Sequence, residues 1–281
     1  MATCSTLELA AHQNTGIPLA STFRVSTSPA PDASTLEDGD ILVELKFVSA
    51  DPYLRSSIRS DRPGAKQPGD AMVCFTSGVV LASKSEKWAQ GDFFGGSLPI
   101  KSIQRLTKED MAKTAMWKLN GCISGPEELS LGLGLLGMPG STAYGGLVDI
   151  LRPVKGETLL VTSASGAVGQ LVGQIAKHLG CTVIGVAGGP AKCAALTGTF
   201  GFDHAIDYKG LEGEGVDALV GAIKKVAPKG LHMVFENVGG VQFEACFKCL
   251  AVGGRIAVCG GIAGYGLEKP LTVAIDQTAM S

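Results

Sequence analysis

The sequence predicts an α/β protein in two parts, an irregular β domain followed by a doubly wound, mostly parallel sheet. Three observations carry that expectation. From about residue 152 onward, strand-like and helix-like patterns alternate along the chain. The run TLLVTSA (158–164), with Leu159-Leu160-Val161 consecutive, reads as a strand buried on both faces, and glycines and a helical pattern follow it. The early stretch DILVELKFVSA (40–50) alternates instead, as a half-buried antiparallel strand does.

Taken in order, residues 40–50 give one strand and MVCFTSGVVLAS (72–83) another, with Gly78 in its middle marking a bulge or bend. Prolines and glycines punctuate the rest of this part. Residues 126–153 read as helical at both ends with a turn at Met138-Pro139-Gly140. After TLLVTSA comes a helix at about 168–179, then the strand CTVIGVAGG (181–189) and a helix at 191–200. HAIDYK (204–209) is a third strand, 217–226 a helix, LHMVFENVGG (231–240) a fourth strand, 241–250 a helix, and GRIAVCGG (254–261) a fifth strand. Five strands joined by short helices require right-handed crossovers. The expected domains are 1–125 and 126–281.

Composition narrows the function. A chain of 281 residues, 45% hydrophobic, can bury the cores of two domains. A net charge of -2 gives no reason to expect nucleic acid as a partner. No apolar run reaches membrane-spanning length, and the start MATCSTLELAAHQNTG lacks a signal peptide's basic and apolar regions, so the cytoplasm is the expected location. The eight cysteines are scattered, and several lie in strand-like runs as buried thiols would. Cys246-x-x-Cys249 has ligand spacing but no second pair nearby, and two core cysteines on a helix explain it as well. The histidines His12, His178, His204 and His232 stand apart, and no metal site is expected.

The glycines after 158–164 form a dinucleotide-type loop with a substitution. The usual G-x-G-x-x-G reads here Ala164-Ser165-Gly166-Ala167-Val168-Gly169. The first glycine of such a loop allows the tight turn, the second lets backbone approach a pyrophosphate, and the third lets helix and strand pack closely. Gly166 and Gly169 keep the last two roles, and alanine serves the first if its φ stays negative. The following helix offers free N–H groups and a positive dipole end to phosphate. A tight turn with no ligand is the competing reading. The next strand ends Val186-Ala187-Gly188-Gly189-Pro190 without the acid that accepts from an NAD ribose, and Lys192 follows. A cation there suits a 2′-phosphate, which favours NADP(H) over NAD(H). The alternative for Lys192 is an ordinary solvated lysine.

Asp51-Pro52-Tyr53-Leu54-Arg55, Gly137-Met138-Pro139-Gly140-Ser141-Thr142-Ala143-Tyr144, Gly166-Ala167-Val168-Gly169, Glu236-Asn237-Val238-Gly239-Gly240 and Arg255-Ile256-Ala257-Val258-Cys259-Gly260 together carry a likeness. Over about residues 40–266 the chain resembles the zinc-independent medium-chain dehydrogenase/reductase superfamily. Within it, the chain is most similar to the prostaglandin reductase / leukotriene B4 12-hydroxydehydrogenase / NADPH-dependent alkenal double-bond reductase group. The resemblance implies a GroES-like β domain, a Rossmann domain and an active site in the cleft between them. It implies NADPH-dependent reduction of the C=C bond of α,β-unsaturated aldehydes and ketones. By motif, Gly166, Ala167, Val168 and Gly169 would hold the pyrophosphate, and Lys192 and Tyr208 would flank the 2′-phosphate. Asn237, Cys259, Gly260, Gly261, Ile262, Ala263, Gly264 and Tyr265 would approach the ribose and nicotinamide side, with Met138 and Thr142 near the nicotinamide. Tyr53 would line the substrate pocket. Tyr265 would act as the catalytic donor to the charge that develops on the carbonyl oxygen, the alternative being a surface tyrosine between Gly264 and Gly266. The zinc enzymes of the superfamily use a cysteine and a Gly-His-Glu motif where this chain has Val48-Ser49-Ala50-Asp51 and Phe75-Thr76-Ser77-Gly78.

After Tyr265 the resemblance fades. Family members continue into a sixth Rossmann strand that often builds a homodimer, whereas here LEKPLTVAIDQTAMS (267–281) follows. The fifth strand is then expected at a sheet edge, with Leu271-Thr272-Val273-Ala274-Ile275 as a candidate substitute strand and the homodimer in doubt. Three readings stand: an enal/enone reductase, a shortened non-catalytic NADP(H)-binding member, and an NADPH quinone reductase.

Overall fold

The computed structural model describes residues 2–211, 215–269 and 271–273. The chain divides into two compact units, Met1–Met138 and Pro139–Ser281.

In the first unit β1 (Thr3–Leu9) and β2 (Phe23–Pro29) form an antiparallel ribbon. β3 (Ile41–Val48), the short helix α1 (Leu54–Ser57), β4 (Val73–Ser83), β5 (Phe93–Pro99), β6 (Ile103–Leu106), α2 (Lys108–Lys113) and β7 (Met116–Lys118) follow. The strands form an antiparallel sheet in the order β6-β3-β4-β5-β7. Alternation in β3 puts Ile41 and Val43 into a core with Val80, Trp88, Phe94, Leu98 and Leu106. The register of β3 against β4 slips beside Gly78, where an added Cβ would lie 2.0 Å from the Glu44 carbonyl oxygen. The mid-strand glycine therefore marks a close backbone approach at an irregularity, as the sequence suggested. A capping box opens α2: Asp110 N–H donates to Thr107 Oγ1 and Thr107 N–H donates to the Asp110 carboxylate.

The helix α3 (Met138–Tyr144) starts at the last residue of the first unit and otherwise belongs to the second, where it runs into a wider π-type turn at Gly145–Leu151. β8 (Thr158–Val161), α4 (Ala167–His178), β9 (Thr182–Ala187), α5 (Pro190–Gly198), β10 (His204–Asp207), α6 (Gly215–Val226), β11 (Leu231–Glu236), α7 (Gly240–Lys248) and β12 (Leu250–Val258) then alternate. All five strands pair in parallel in the order β10-β9-β8-β11-β12. One face packs Leu159, Val161, Val183, Met233 and Phe235 against Val172 and Ala176 of α4 and Leu196 of α5. The other packs Leu160, Ile184, Val186 and Val234 against Leu219 and Ile223 of α6 and Ala245 and Cys246 of α7. Helices thus cover both faces, which is why the central strands carry consecutive apolar residues, Leu159-Leu160-Val161 in β8 and Met233-Val234-Phe235 in β11, rather than alternate ones. The architecture is the doubly wound α/β fold expected.

Three details differ from the sequence reading. Met138-Pro139-Gly140 is no turn: it opens α3, because proline at a helix start gives up no hydrogen bond. The break falls earlier, after the 3-10 segment Pro126–Leu133, at Gly134. The last strand starts at Leu250, four residues sooner than expected, since Leu231 already pairs with Leu250. Of the candidate substitute strand, 271–273 have no regular structure, and Ala274 and Ile275 lie outside the described residues. β12 is the last strand of the sheet among the described residues.

Candidate functional site

The loop between β8 and α4 is built on a conformational shift. Ala164 keeps an ordinary negative φ, and Ser163 just before it takes φ +49°. The tight turn that a first glycine would supply is therefore made one residue earlier, by serine in the left-handed region. Gly169 has no freedom to change: a Cβ there would lie 2.6 Å from the Ser163 carbonyl oxygen and 2.8 Å from Ala164 Cα. Gly166 caps α4 with no side-chain bond to its N–H groups, and the first turn carries no acid. The helix start therefore presents unmet donors and its positive dipole end.

At the adenosine end, β9 stops at Ala187 and Gly189 turns with φ +96° into Pro190, the first residue of α5. Lys192, in the first turn of that helix, is exposed. Asp207, at the end of β10, accepts from Gly189 N–H at 2.7 Å and from Lys209 N–H at 3.0 Å, so one carboxylate ties the two turns together. The rings and chains behind it crowd Gly188: a Cβ there would lie 3.0 Å from both Tyr208 Cε1 and Lys209 Cε. Lys209 is a second cation at this corner that sequence reasoning missed. Its only signal was adjacency to Tyr208.

A buried carboxylate organises the far end. Glu236, at the end of β11, is fully buried, and its oxygens accept from Val238 N–H and Gly239 N–H at 3.0–3.1 Å and from the Thr162 hydroxyl at 3.0 Å. Asn237 donates its side-chain amide to Thr162 O at 2.7 Å and its backbone N–H to Thr162 Oγ1 at 2.8 Å. Cys259 N–H and Gly260 N–H donate to Glu236 O, Ile262 N–H to Asn237 O, and Ala263 N–H to Val238 O. The loop after β8, the turn after β11 and the segment from Cys259 through Gly261, Ile262, Ala263 and Gly264 are thereby one bonded assembly. Tyr265 follows it, and its hydroxyl lies 3.5 Å from a Cβ built on Gly260, a position itself 3.1 Å from Asn237 O. Thus Asn237, Gly260 and Tyr265 come together. Met138 and Thr142 sit one helical turn apart on α3.

These residues suit a phosphorylated dinucleotide. A cavity of about 540 Å³ opens beside them, with Tyr208, Leu219, Val238, Gly239 and Ile262 among its mostly apolar walls, room enough for a flat heterocycle. The uncapped helix start offers donors to phosphate, and Lys192, Lys209 and Tyr208 offer positive charge and a hydroxyl at one corner.

Residues 6–114 match the family described as "N-terminal domain of oxidoreductase", and residues 167–279 match that described as "Zinc-binding dehydrogenase". The NADPH-dependent curcumin reductase of Escherichia coli is 37% identical over 257 residues, covering 90% of this chain and 69% of that protein. The chain belongs to the zinc-independent medium-chain dehydrogenase/reductase superfamily. The NADP(+)-dependent 2-alkenal reductase of Nicotiana tabacum is 39% identical over 233 residues, 82% of this chain and 64% of that enzyme. The chain therefore spans 64% to 69% of the length of these two superfamily members. Among solved structures, CurA from Vibrio vulnificus in complex with NADPH aligns with a TM-score of 0.82 and 34% identity, over 98% of this chain and 77% of that one. No group of three or more histidine, cysteine or acidic residues that could hold a metal occurs among the described residues. Cys246 and Cys249 are buried core thiols whose pKa values burial pushes up.

In the first unit Tyr53 precedes α1. Its hydroxyl accepts from Phe75 N–H at 3.3 Å, and its ring meets Phe75 edge-on at 6.0 Å. The ring is 37% exposed, yet the hydroxyl end is tucked against the sheet, and desolvation there pushes its pKa up to about 12. The group stays a neutral donor throughout the physiological range.

Proposed function

We propose that this chain is an NADPH-dependent reductase of the C=C bond in α,β-unsaturated aldehydes and ketones. The observation that supports the reading is the bonded assembly of Thr162, Glu236 and Asn237 at the C-terminal ends of β8 and β11, the same end of the sheet as the loop 166–169, with the Tyr265 hydroxyl close to Gly260. When bound, NADPH would supply the hydride. Gly166, Ala167, Val168 and Gly169 would receive the pyrophosphate, and Lys192, Lys209 and Tyr208 the 2′-phosphate. Asn237 and the segment from Cys259 to its C-terminal side would line the ribose and nicotinamide side, with Met138 and Thr142 on α3 near the nicotinamide. As the alkene is reduced, negative charge gathers on the substrate's carbonyl oxygen, and we assign the Tyr265 hydroxyl as the donor to it. Tyr53 would line the substrate pocket.

The test is NADPH oxidation followed at 340 nm with hex-2-enal and with a quinone. Turnover of the enal supports the proposal. Turnover of the quinone alone would replace it with a quinone reductase, and NADPH binding with neither turned over would make the chain a binding protein.

A further inference from the structure

One side chain of the second unit stands on an apolar helix face with its chemistry unmet. Gln242 lies in the first turn of α7, and Ala245, Cys246 and Cys249 follow it at three, four and seven residues. That spacing is the inward stripe of a helix, and the other three are buried in the core with Leu160 and Val234. Gln242 is itself only 7% exposed, and among the described residues its Oε1 has no hydrogen-bond partner. A buried acceptor without a donor carries the cost of desolvation with no bond to offset it.

Gln242 also walls the cavity of about 540 Å³ in this unit. Leu211, Leu219, Val238, Val241 and Ile262 make most of that wall apolar, and Tyr208 and Gln242 bring the only polar side chains among its described residues. Tyr208 borders the cavity on one side and crowds Gly188, together with Lys209, on the other. The cavity is thus continuous with the cationic corner. In NADP(H) one ribose carries both the 2′-phosphate and the adenine, so a phosphate held at that corner brings the adenine to the cavity. Adenine offers apolar faces to such walls, and its edge carries an exocyclic amine that needs an acceptor once it leaves water.

We propose that Gln242 Oε1 accepts a hydrogen bond from the exocyclic amine of the coenzyme's adenine. The oxygen is sealed from solvent in the unliganded chain. The terminal torsion of glutamine is broad, so the amide turns about it at little cost and presents the oxygen as the base enters. The proposal rests on the NADPH-dependent reading and deepens it. Apolar walls hold any flat base, whereas this acceptor selects an aminopurine.

Isothermal titration calorimetry with NADPH and with its hypoxanthine counterpart, which carries a carbonyl oxygen in place of the amine, tests the assignment. The parent chain should bind NADPH about tenfold more tightly, the worth of one hydrogen bond. Gln242→Met keeps the length of the side chain and removes the acceptor, and it should bind the two dinucleotides alike within about twofold. Gln242→Leu serves in its place if the methionine variant does not fold. Equal affinity of the parent for both dinucleotides, or a preference that persists in the variant, would overturn the assignment. Should neither dinucleotide bind, the NADPH reading fails on its own, and adenosine and inosine are titrated instead. A tenfold preference for adenosine that the variant abolishes would still support Gln242 as the acceptor, and the absence of that preference would overturn it.

Discussion

Tyr265, Lys192 and Glu236 are proposed to act in separable ways. Removing the hydroxyl in Tyr265→Phe should lower kcat by about 10²–10³-fold, the usual cost of a lost donor at a developing oxyanion, with NADPH affinity unchanged. Stopped-flow turnover and a cofactor titration check both halves. Glu236→Gln replaces one carboxylate oxygen with an amide that faces the Val238 and Gly239 N–H groups donor to donor. We expect it to destabilise the fold by about 1–3 kcal/mol and to weaken NADPH binding, measured by denaturant melts and fluorescence titration. Tyr265 and Lys192 could be proposed from the sequence because the chemistry assigned to them is carried by residue type at a motif position. Glu236 was not. Its partners are backbone N–H groups of a turn and one threonine hydroxyl 74 residues away, and nothing in the string Glu-Asn-Val-Gly-Gly shows that the carboxylate folds back on its own chain.

Strand-to-helix alternation was readable for the second unit because helices bury its sheet on both sides, so the central strands carry consecutive apolar residues such as Leu159-Leu160-Val161 and Met233-Val234-Phe235. Phi angles leave no such trace. The left-handed residue of the β8–α4 loop proved to be Ser163, where the missing glycine had drawn attention to Ala164. Gly169→Ala is the sharpest check on this loop. Its new methyl would meet backbone rather than a yielding side chain, so a loss of about 1–3 kcal/mol in stability and weaker NADPH binding are expected by melting and titration. Another element-level device is the clamp around Arg255, whose guanidinium donates to both oxygens of Glu157, at 2.7 and 2.8 Å, and to the carbonyls of Leu151 and Arg152. It fastens β12 to the end of the turn after α3. Arg255→Met should cost about 2 kcal/mol in a chemical melt, since it strands a partly buried carboxylate and two carbonyls. In the sequence Arg255 showed only as part of a family motif, and its structural use needed the fold.

Over the whole molecule, pH acts on the fold through these contacts with opposite signs. Hydrogen bonds from Arg255 hold the Glu157 carboxyl below the usual carboxylate range. The unfolded chain therefore takes up this proton first, and the clamp's contribution, full at neutral pH, is lost as pH falls through the folded value. Tyr53 works at the other limit. With its pKa raised from 10 to about 12, the unfolded chain ionises first, and stability declines as pH rises across that interval. Tyrosinate absorbance at 295 nm should show one of the four tyrosines titrating near the upper value, and a Tyr53→Phe variant should lack that phase.

The second unit is proposed to recognise the phosphorylated dinucleotide and to discriminate against its unphosphorylated form. Isothermal titration calorimetry with NADPH and NADH on the folded chain and on Lys192→Ala reads this directly. NADPH should bind at least about tenfold more tightly than NADH, and the substitution should erase most of that gap, since a charge-assisted hydrogen bond is worth about 1.5–3 kcal/mol. Equal affinity for the two dinucleotides, or a preference that survives the loss of Lys192 intact, would contradict it.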